Sequence, residues 1–283
     1  MYYIKVSYRY YQSIGVIGHL GMVGGTVFRY FSKSEYPVTG YDVMEKKNKA
    51  KAFGSELVFV CVPTPYLWNK HKYDDVAVDA VLGQIPDNKT VVIKSTVRIG
   101  TTDKLQEKYP KIKILFSPEF LSEATCDQDF ANPDRQFVGY TSRSYSEATK
   151  VLNTLPESPY SAIIPAKEAE LLKYINNLHG VWEVLESNHY FEVCRREGLD
   201  YERVIRGAMA SKWVGPVMGR HYRIIWHRGV RGVKGKCFPK DLAAWLDYCR
   251  SQKIPAELFQ AARKMNRRIL AEQKLTEAKA EEK

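Results

Sequence analysis

The residues Gly232-Val233-Lys234-Gly235-Lys236-Cys237-Phe238-Pro239-Lys240-Asp241-Leu242 place a cysteine where a glycine-bearing loop runs into a helix. Pro239 suits the first helical position, where the N–H it lacks has no partner in any case. Leu242, Trp245, Leu246 and Cys249 then recur at helical spacing. The unpaired amides of that first turn, with Lys234, Lys236 and Lys240 close in sequence, favour thiolate over thiol and so make Cys237 a candidate nucleophile. The competing reading is a buried cysteine acting as a small hydrophobe, with Asp241 merely complementing the helix dipole.

A second constellation lies near the start. Ile14-Gly15-Val16-Ile17 reads as a short buried strand, and Gly18-His19-Leu20-Gly21-Met22-Val23-Gly24-Gly25 carries it into a helical pattern (Val23, Val27, Tyr30, Phe31). Strand, glycine turn and helix is the order a pyrophosphate-binding unit needs, although the spacing G-x-x-G-x-x-G is one residue looser than the usual fingerprint. Val38-Thr39-Gly40-Tyr41-Asp42 follows as a strand ending in an acid, at the distance where a carboxylate holds the adenosine ribose hydroxyls. Such an acid repels a 2′-phosphate and favours NAD over NADP. A solvated acid at a strand end is the plainer alternative for Asp42.

The elements that must position these groups alternate. Apolar runs at 57–62, 90–93 and 112–116 are continuous, which predicts strands covered on both faces, and runs at 136–139 and 161–164 could extend the sheet. Three of the strand ends carry turn-forming or polar residues: Pro63-Thr64-Pro65, Lys94-Ser95-Thr96 and Ser117-Pro118-Glu119-Phe120-Leu121-Ser122-Glu123. Residues 165–177 read as an amphipathic helix with Ala169, Leu172 and Ile175/Asn176 on one side and Glu170, Lys173 and Asn177 on another. Lys173 and Asn177 can then donate to one oxygen, or Glu170 and Lys173 can form a surface pair worth a few tenths of a kcal/mol.

These motifs, in this order, resemble the UDP-glucose/GDP-mannose dehydrogenase family. The Cys237 loop is similar to its signature G-F-G-G-x-C-x-P-K-D, with Val233 in place of an aromatic residue and Lys234 in place of a glycine. If that glycine serves a positive φ or a close backbone approach, a lysine strains the loop or obstructs the sugar pocket. Val60-Cys61-Val62-Pro63-Thr64-Pro65, Lys94-Ser95-Thr96-Val97 and Ser117-Pro118-Glu119-Phe120-Leu121-x-Glu123 resemble successive loops of the family. Glu168-Ala169-Glu170-Leu171-Leu172-Lys173-Tyr174-x-Asn176-Asn177 resembles its helix with the catalytic lysine and asparagine.

The resemblance implies an N-terminal Rossmann-like NAD-binding domain (1–165) followed by an α-helical central domain (166–283), an α/β chain overall. It implies NAD-dependent oxidation of a UDP-sugar at C6, with Cys237, Lys173, Asn177, Asp241, Glu119, Glu123 and Thr96 as catalytic residues. Gly18, Gly21, Met22, Val23, Gly24, Asp42, Pro63, Thr64 and Thr96 would bind the cofactor. Glu119, Phe120, Leu121, Lys173, Asn177, Gly232 and Gly235 would bind the sugar nucleotide. A homodimer through the central helices is implied too, and the family's C-terminal UDP-binding domain is expected to be missing from this chain.

Composition fits this reading. The 283 residues, 45% of them apolar, suffice for two cores without metals or disulfides. Cys61, Cys126, Cys194, Cys237 and Cys249 form no CxxC pair, no histidine spacing suggests a metal site, and no apolar run is long enough to cross a bilayer. The tyrosine-rich start (Tyr2, Tyr3, Tyr8, Tyr10, Tyr11) is broken by Lys5 and Arg9 and is no signal peptide, so a cytoplasmic protein is expected. The net charge of +11 sits in one segment: ten basic residues and no acid lie between Arg203 and Lys240, leaving 33 basic against 32 acidic residues elsewhere. That segment suits a pyrophosphate, and no zinc spacing or RNP-like motif supports nucleic acid. A last helix through Leu258, Phe259, Ala262, Met265, Ile269 and Leu270 is expected to dissolve into a charged tail from Glu272 to Lys283, a solvated helix or a frayed end. Two other classes stay open: a simple NAD-linked hydroxyacid dehydrogenase that needs no thiol, and a non-catalytic relative that binds nucleotide or a partner protein.

Overall fold

The structure, a computed structural model, describes residues 9–213 and 224–283; Tyr2, Tyr3, Lys5 and Tyr8 of the amino-terminal stretch, and Arg220 and Arg223 of the basic segment, lie outside them. The chain divides into two units, the first running through Pro65 and then Asp74–Lys173, the second comprising Tyr66–Tyr73 and Tyr174–Lys283. The sequence places the change of domain at 165/166, where the last strand gives way to a long helix. The division by packing falls eight residues later, inside that helix.

In the first unit, β1 (Ile14–Ile17), β2 (Val38–Tyr41), β3 (Leu57–Val60), β6 (Thr90–Ile93), β7 (Lys113–Phe116), β8 (Arg135–Tyr140) and β9 (Tyr160–Pro165) form one sheet in the order β2-β1-β3-β6-β7-β8-β9. All neighbours are parallel except β7 and β8. β1, β3 and β6 are buried throughout, as their unbroken apolar runs require. Alternation sends Val58, Val60, Val91 and Ile93 to one face and Leu57, Phe59 and Val92 to the other. The first face is covered by α2 (Lys49–Phe53), α3 (Val76–Leu82) and α4 (Thr101–Lys108), the second by Val27 and Phe31 of α1 (Met22–Ser32) and Ala148 and Val151 of α6 (Tyr145–Thr154). Strand order reverses at β1, so the carboxyl ends of β1 and β3 border the crevice where doubly wound sheets collect ligands.

The second unit is helical. It takes the later part of α7 (Ala166–Glu197), α8 (Tyr201–Met209), α9 (Phe238–Ser251), α10 (Glu257–Ala271), α11 (Glu277–Glu281) and a hairpin of β4 (Tyr66–Leu67) and β5 (Lys72–Tyr73) encoded between β3 and α3. Tyr66 Oη donates to Asp247 at 2.8 Å and Trp68 Nε1 to Glu281 at 2.5 Å, and the Lys240 ammonium lies 5.8 Å from the Tyr73 ring centre.

Two expectations change. The two sides of α7 do not separate into core and solvent: Glu170, Lys173 and Asn177 are buried together with Ala169, whereas Ile175 is 54% exposed. Polar side chains occupy the inner face because each finds a buried partner, and a Glu170–Lys173 surface pair does not form. The tail is not frayed either: Thr276 caps α11, Ala280 is fully buried, and Glu277 takes hydrogen bonds from Arg263 (2.8 and 3.0 Å) and Arg267 (2.8 Å).

Candidate active site

The glycine turn of the first unit leaves no room for side chains where a ligand's phosphates would need backbone. Gly18 has φ +86°, and a Cβ there would lie 2.5 Å from the Cys61 carbonyl oxygen. A Cβ on Gly24 would lie 2.1 Å from the Gly18 carbonyl, so the start of α1 presses directly on the turn. Gly21 caps α1 without a side-chain hydrogen bond, and no acid occupies the first turn. These amides therefore suit an anion, which is what a dinucleotide's pyrophosphate supplies. Met22 and Val23 open the helix, Met22 exposed and Val23 half-buried. Asp42 directly follows β2 and accepts from the amides of Met44 (3.0 Å) and Leu20 (3.4 Å), tying the strand end to the glycine turn. Pro63 is exposed beyond β3, and the buried Thr64 hydroxyl donates to the Thr96 carbonyl at 2.8 Å.

Further along the same sheet edge, Lys173 Nζ meets both the Glu119 carboxylate and the Glu119 carbonyl at 2.7 Å. Both side chains are buried. Burial works to raise the Glu119 pKa, but the charge and hydrogen bond of Lys173, the Leu121 amide and Lys94 outweigh it and hold the carboxyl below its usual range. Phe120 packs its ring 4.1 Å from the Arg135 guanidinium and 6.0 Å from the Lys173 ammonium. Leu121 is half-buried, and Glu123 is exposed in the turn beyond.

Two buried ionic groups here escape sequence reasoning. Lys94 donates to the carbonyl and hydroxyl of Ser117, each at 3.1 Å, and burial pushes its pKa down to about 8. Glu170 accepts from the Gly100 amide (2.5 Å) and from the amide and hydroxyl of Thr102 (2.8 and 2.6 Å), capping α4 from one turn before Lys173. Burial pushes its carboxyl up to about 7. In the sequence Glu170 stood out only as part of the Glu-Ala-Glu-Leu-Leu-Lys phrase and as a possible surface partner of Lys173, neither of which points to a buried cap.

In the second unit, Cys237 is the N-cap of α9 and is exposed. The helix begins at Phe238, so Pro239 is its second residue, a position that also needs no N–H donor. α7 sets this helix start: a Cβ on Gly180 would lie 2.3 Å from the Phe238 ring, so only glycine admits that side chain. One turn in from the cysteine, the fully buried Asp241 takes a hydrogen bond from Asn177 Nδ2 at 2.5 Å and pairs with Lys240 Nζ at 2.6 Å. Burial opposes the Lys240 charge, but Asp241, Tyr73 and Cys237 outweigh it and raise the pKa. Two residues of the basic segment are committed within the protein: Lys240 to Asp241, and the buried Arg231 to Glu192 and Glu272.

The two departures in the cysteine loop are accommodated. Val233 is buried, and Lys234 is not among the residues with positive φ; its ammonium turns back to the His227 carbonyl. Positive φ falls instead on Gly232 (+92°) and Gly235 (+78°).

Residues 44–155 match the NAD binding domain of the UDP-glucose/GDP-mannose dehydrogenase family, and residues 167–268 match the central domain of the same family. The chain belongs to this family. Within it, UDP-glucose 6-dehydrogenase of Pseudomonas aeruginosa is 29% identical over 231 residues, covering 76% of this chain and 49% of that protein. UDP-glucose 6-dehydrogenase TuaD of Bacillus subtilis is 26% identical over 224 residues, covering 75% and 46%. The chain thus spans about half the length of the curated relatives it matches. A UDP-glucose dehydrogenase from Pyrobaculum islandicum shares the fold, with a TM-score of 0.76 at 24% identity over 94% of this chain and 72% of that one. The cofactor of the family's first domain is NAD, and the glycine turn, with backbone in close approach at Gly18 and Gly24 and no acid in the helix turn that follows, fits it. Among the described residues no helix is long and apolar enough to cross a membrane.

Proposed function

We propose that the chain serves NAD-dependent oxidation of a UDP-sugar, UDP-glucose above all, at C6 to the UDP-uronic acid, with Cys237 as the nucleophile. The observation that carries this reading is the Asn177–Asp241–Lys240 network, buried one turn behind an exposed cysteine at a helix N-terminus. A buried carboxylate held by an amide and an ammonium cannot drift, so it fixes the first turn of α9 and leaves the Asn177 side chain a defined orientation.

NAD supplies the hydride acceptor for each of two oxidations. Lys173 and Asn177, one turn apart on α7, stabilise the C6 oxygen as it gains charge; loss of one such donor costs about a hundredfold or more in rate. Cys237 Sγ attacks the aldehyde carbon and forms a thiohemiacetal, whose oxidation leaves a thioester. Water then breaks the C–S bond, giving the uronic acid and returning the thiol. Asp241, Glu119, Glu123 and Thr96 manage that water and the protons released. Gly232, Gly235, Phe120 and Leu121 border the sugar nucleotide, and Pro63 and Thr64 border the cofactor. The exposed apolar side chains Tyr190, Val193 and Val204 on α7 and α8 support a homodimer through the central helices.

The test incubates purified protein with NAD and UDP-glucose and counts NADH per sugar consumed, for wild type and Cys237→Ser. Two NADH per sugar for wild type, with loss of turnover in the variant, is the expected result. One NADH with an active Cys237→Ser protein would point to the simple hydroxyacid-type dehydrogenase. No NADH from UDP-glucose or other UDP-sugars, with NAD still bound, would point to the nucleotide-binding relative.

A further inference from the structure

Residues 228–237 contain no strand or helix, yet they must deliver Cys237 to a fixed place. Gly229, Gly232 and Gly235, all with positive φ, carry no Cβ, so the segment is intrinsically free to adopt many paths. Three alternate residues are nevertheless tied down by their backbones. The Arg231 amide donates to Gln273 Oε1 at 3.0 Å, and Gln273 Nε2 returns a bond to the Arg231 carbonyl at 3.0 Å. The Val233 amide donates to Asn266 Oδ1 at 2.7 Å, and Asn266 Nδ2 returns a bond to the Val233 carbonyl at 3.1 Å. The Gly235 amide donates to the Ala280 carbonyl at 3.0 Å.

A carboxamide offers one acceptor and one donor side by side, so it satisfies a residue's N–H and C=O as a neighbouring strand would. Asn266 is 1% exposed, and Gly232 leaves it that space: a Cβ there would lie 2.9 Å from its Oδ1. We infer that Asn266 and Gln273 are positioning residues, two carboxamides that replace a partner strand for the loop and thereby hold Cys237 at the start of α9. The inference rests on the reading of Cys237 as the nucleophile. It gives α10 and the chain beyond it, where sequence shows only an amphipathic helix and a charged tail, the task of setting the reacting group.

The experiment compares the full chain with Asn266→Ala, and with Gln273→Ala in case the first fails to fold. Amide hydrogen exchange of 229–237 and the rate of Cys237 alkylation by iodoacetamide at pH 7 are measured beside the melting temperature. Exchange across the loop is expected to rise about tenfold or more, because two buried backbone groups lose their partners. Alkylation is expected to slow about threefold or more: the cysteine is already exposed, so loosening adds little access, while the residue leaves its fixed place at the helix N-terminus, whose dipole favours a thiolate. Unchanged loop exchange and unchanged alkylation in a variant that merely melts lower would overturn the inference. Faster exchange and slower alkylation in a chain that makes no NADH would uphold the positioning role while removing the dehydrogenase reading.

Discussion

Glu170 offers a measurable link between α7 and the sheet edge. Its carboxyl is fully buried, accepts three hydrogen bonds at the start of α4, and has a pKa moved by burial from the usual 4.5 to about 7. A carboxylate pKa raised on folding means that the folded state holds the proton more tightly, so stability is greatest below about pH 4.5 and falls as pH rises towards 7. At about 1.4 kcal/mol per pH unit, the displacement corresponds to roughly 3 kcal/mol lost across that window. Glu170→Gln removes the titration while also removing one acceptor oxygen. Urea denaturation of both proteins at several pH values from 5 to 8 isolates the contribution. The wild type should lose stability relative to Glu170→Gln by about 2 kcal/mol or more between those limits. A difference between the two that stays flat with pH would refute the assignment of a buried, high-pKa carboxyl at this place.

Other substitutions test other contacts. Lys173→Ala strands the buried Glu119 carboxylate and should cost on the order of 3–5 kcal/mol in denaturant unfolding, part of it recovered by adding Glu119→Gln; no recovery would mean the pair is not coupled. The depressed Glu119 pKa stabilises the fold above about pH 4.5, and that contribution should fade on acidification in wild type but be absent from the double variant. Gly232→Ala meets positive φ together with Asn266 and Ile269 at 2.9 Å and should cost about 1–3 kcal/mol more than Gly235→Ala, which faces open space; equal thermal shifts would contradict the loop packing. Lys234→Gly should change NADH production by about twofold or less, since this side chain points to the His227 carbonyl; a tenfold gain would mean that it blocks the sugar.

β1, β3 and β6 were legible because burial on both faces demands unbroken apolar runs, and the glycine turn because its spacing reports backbone contact; β2 and β9, only partly buried, were legible from shorter apolar runs and their place in the alternation. The inner face of α7 was not. By spacing alone Glu170 and Lys173 could as well form a surface pair, and only the family resemblance drew Lys173 into the site; their partners lie 68, 70 and 54 residues away, beyond the reach of any helical period. The same limit hid Asn266 and Gln273, which bond the backbone of the cysteine loop and so leave no pattern in side-chain types. Charge misled at the carboxyl end, where Glu277 looked solvated until Arg263 and Arg267 met it across the turn after α10.

The hairpin of Tyr66–Tyr73 has a consequence for anyone dividing this gene. It is written between two pieces of the sheet unit but draws its partners, Asp247, Glu281 and Lys240, from the last fifth of the chain. A cut at 165 or at 173 therefore yields an upstream fragment with three orphaned aromatic rings and a downstream fragment with bare polar groups that those rings had covered. Dissection into freely expressible halves would require transplanting eight residues, a recombination that a single breakpoint never achieves.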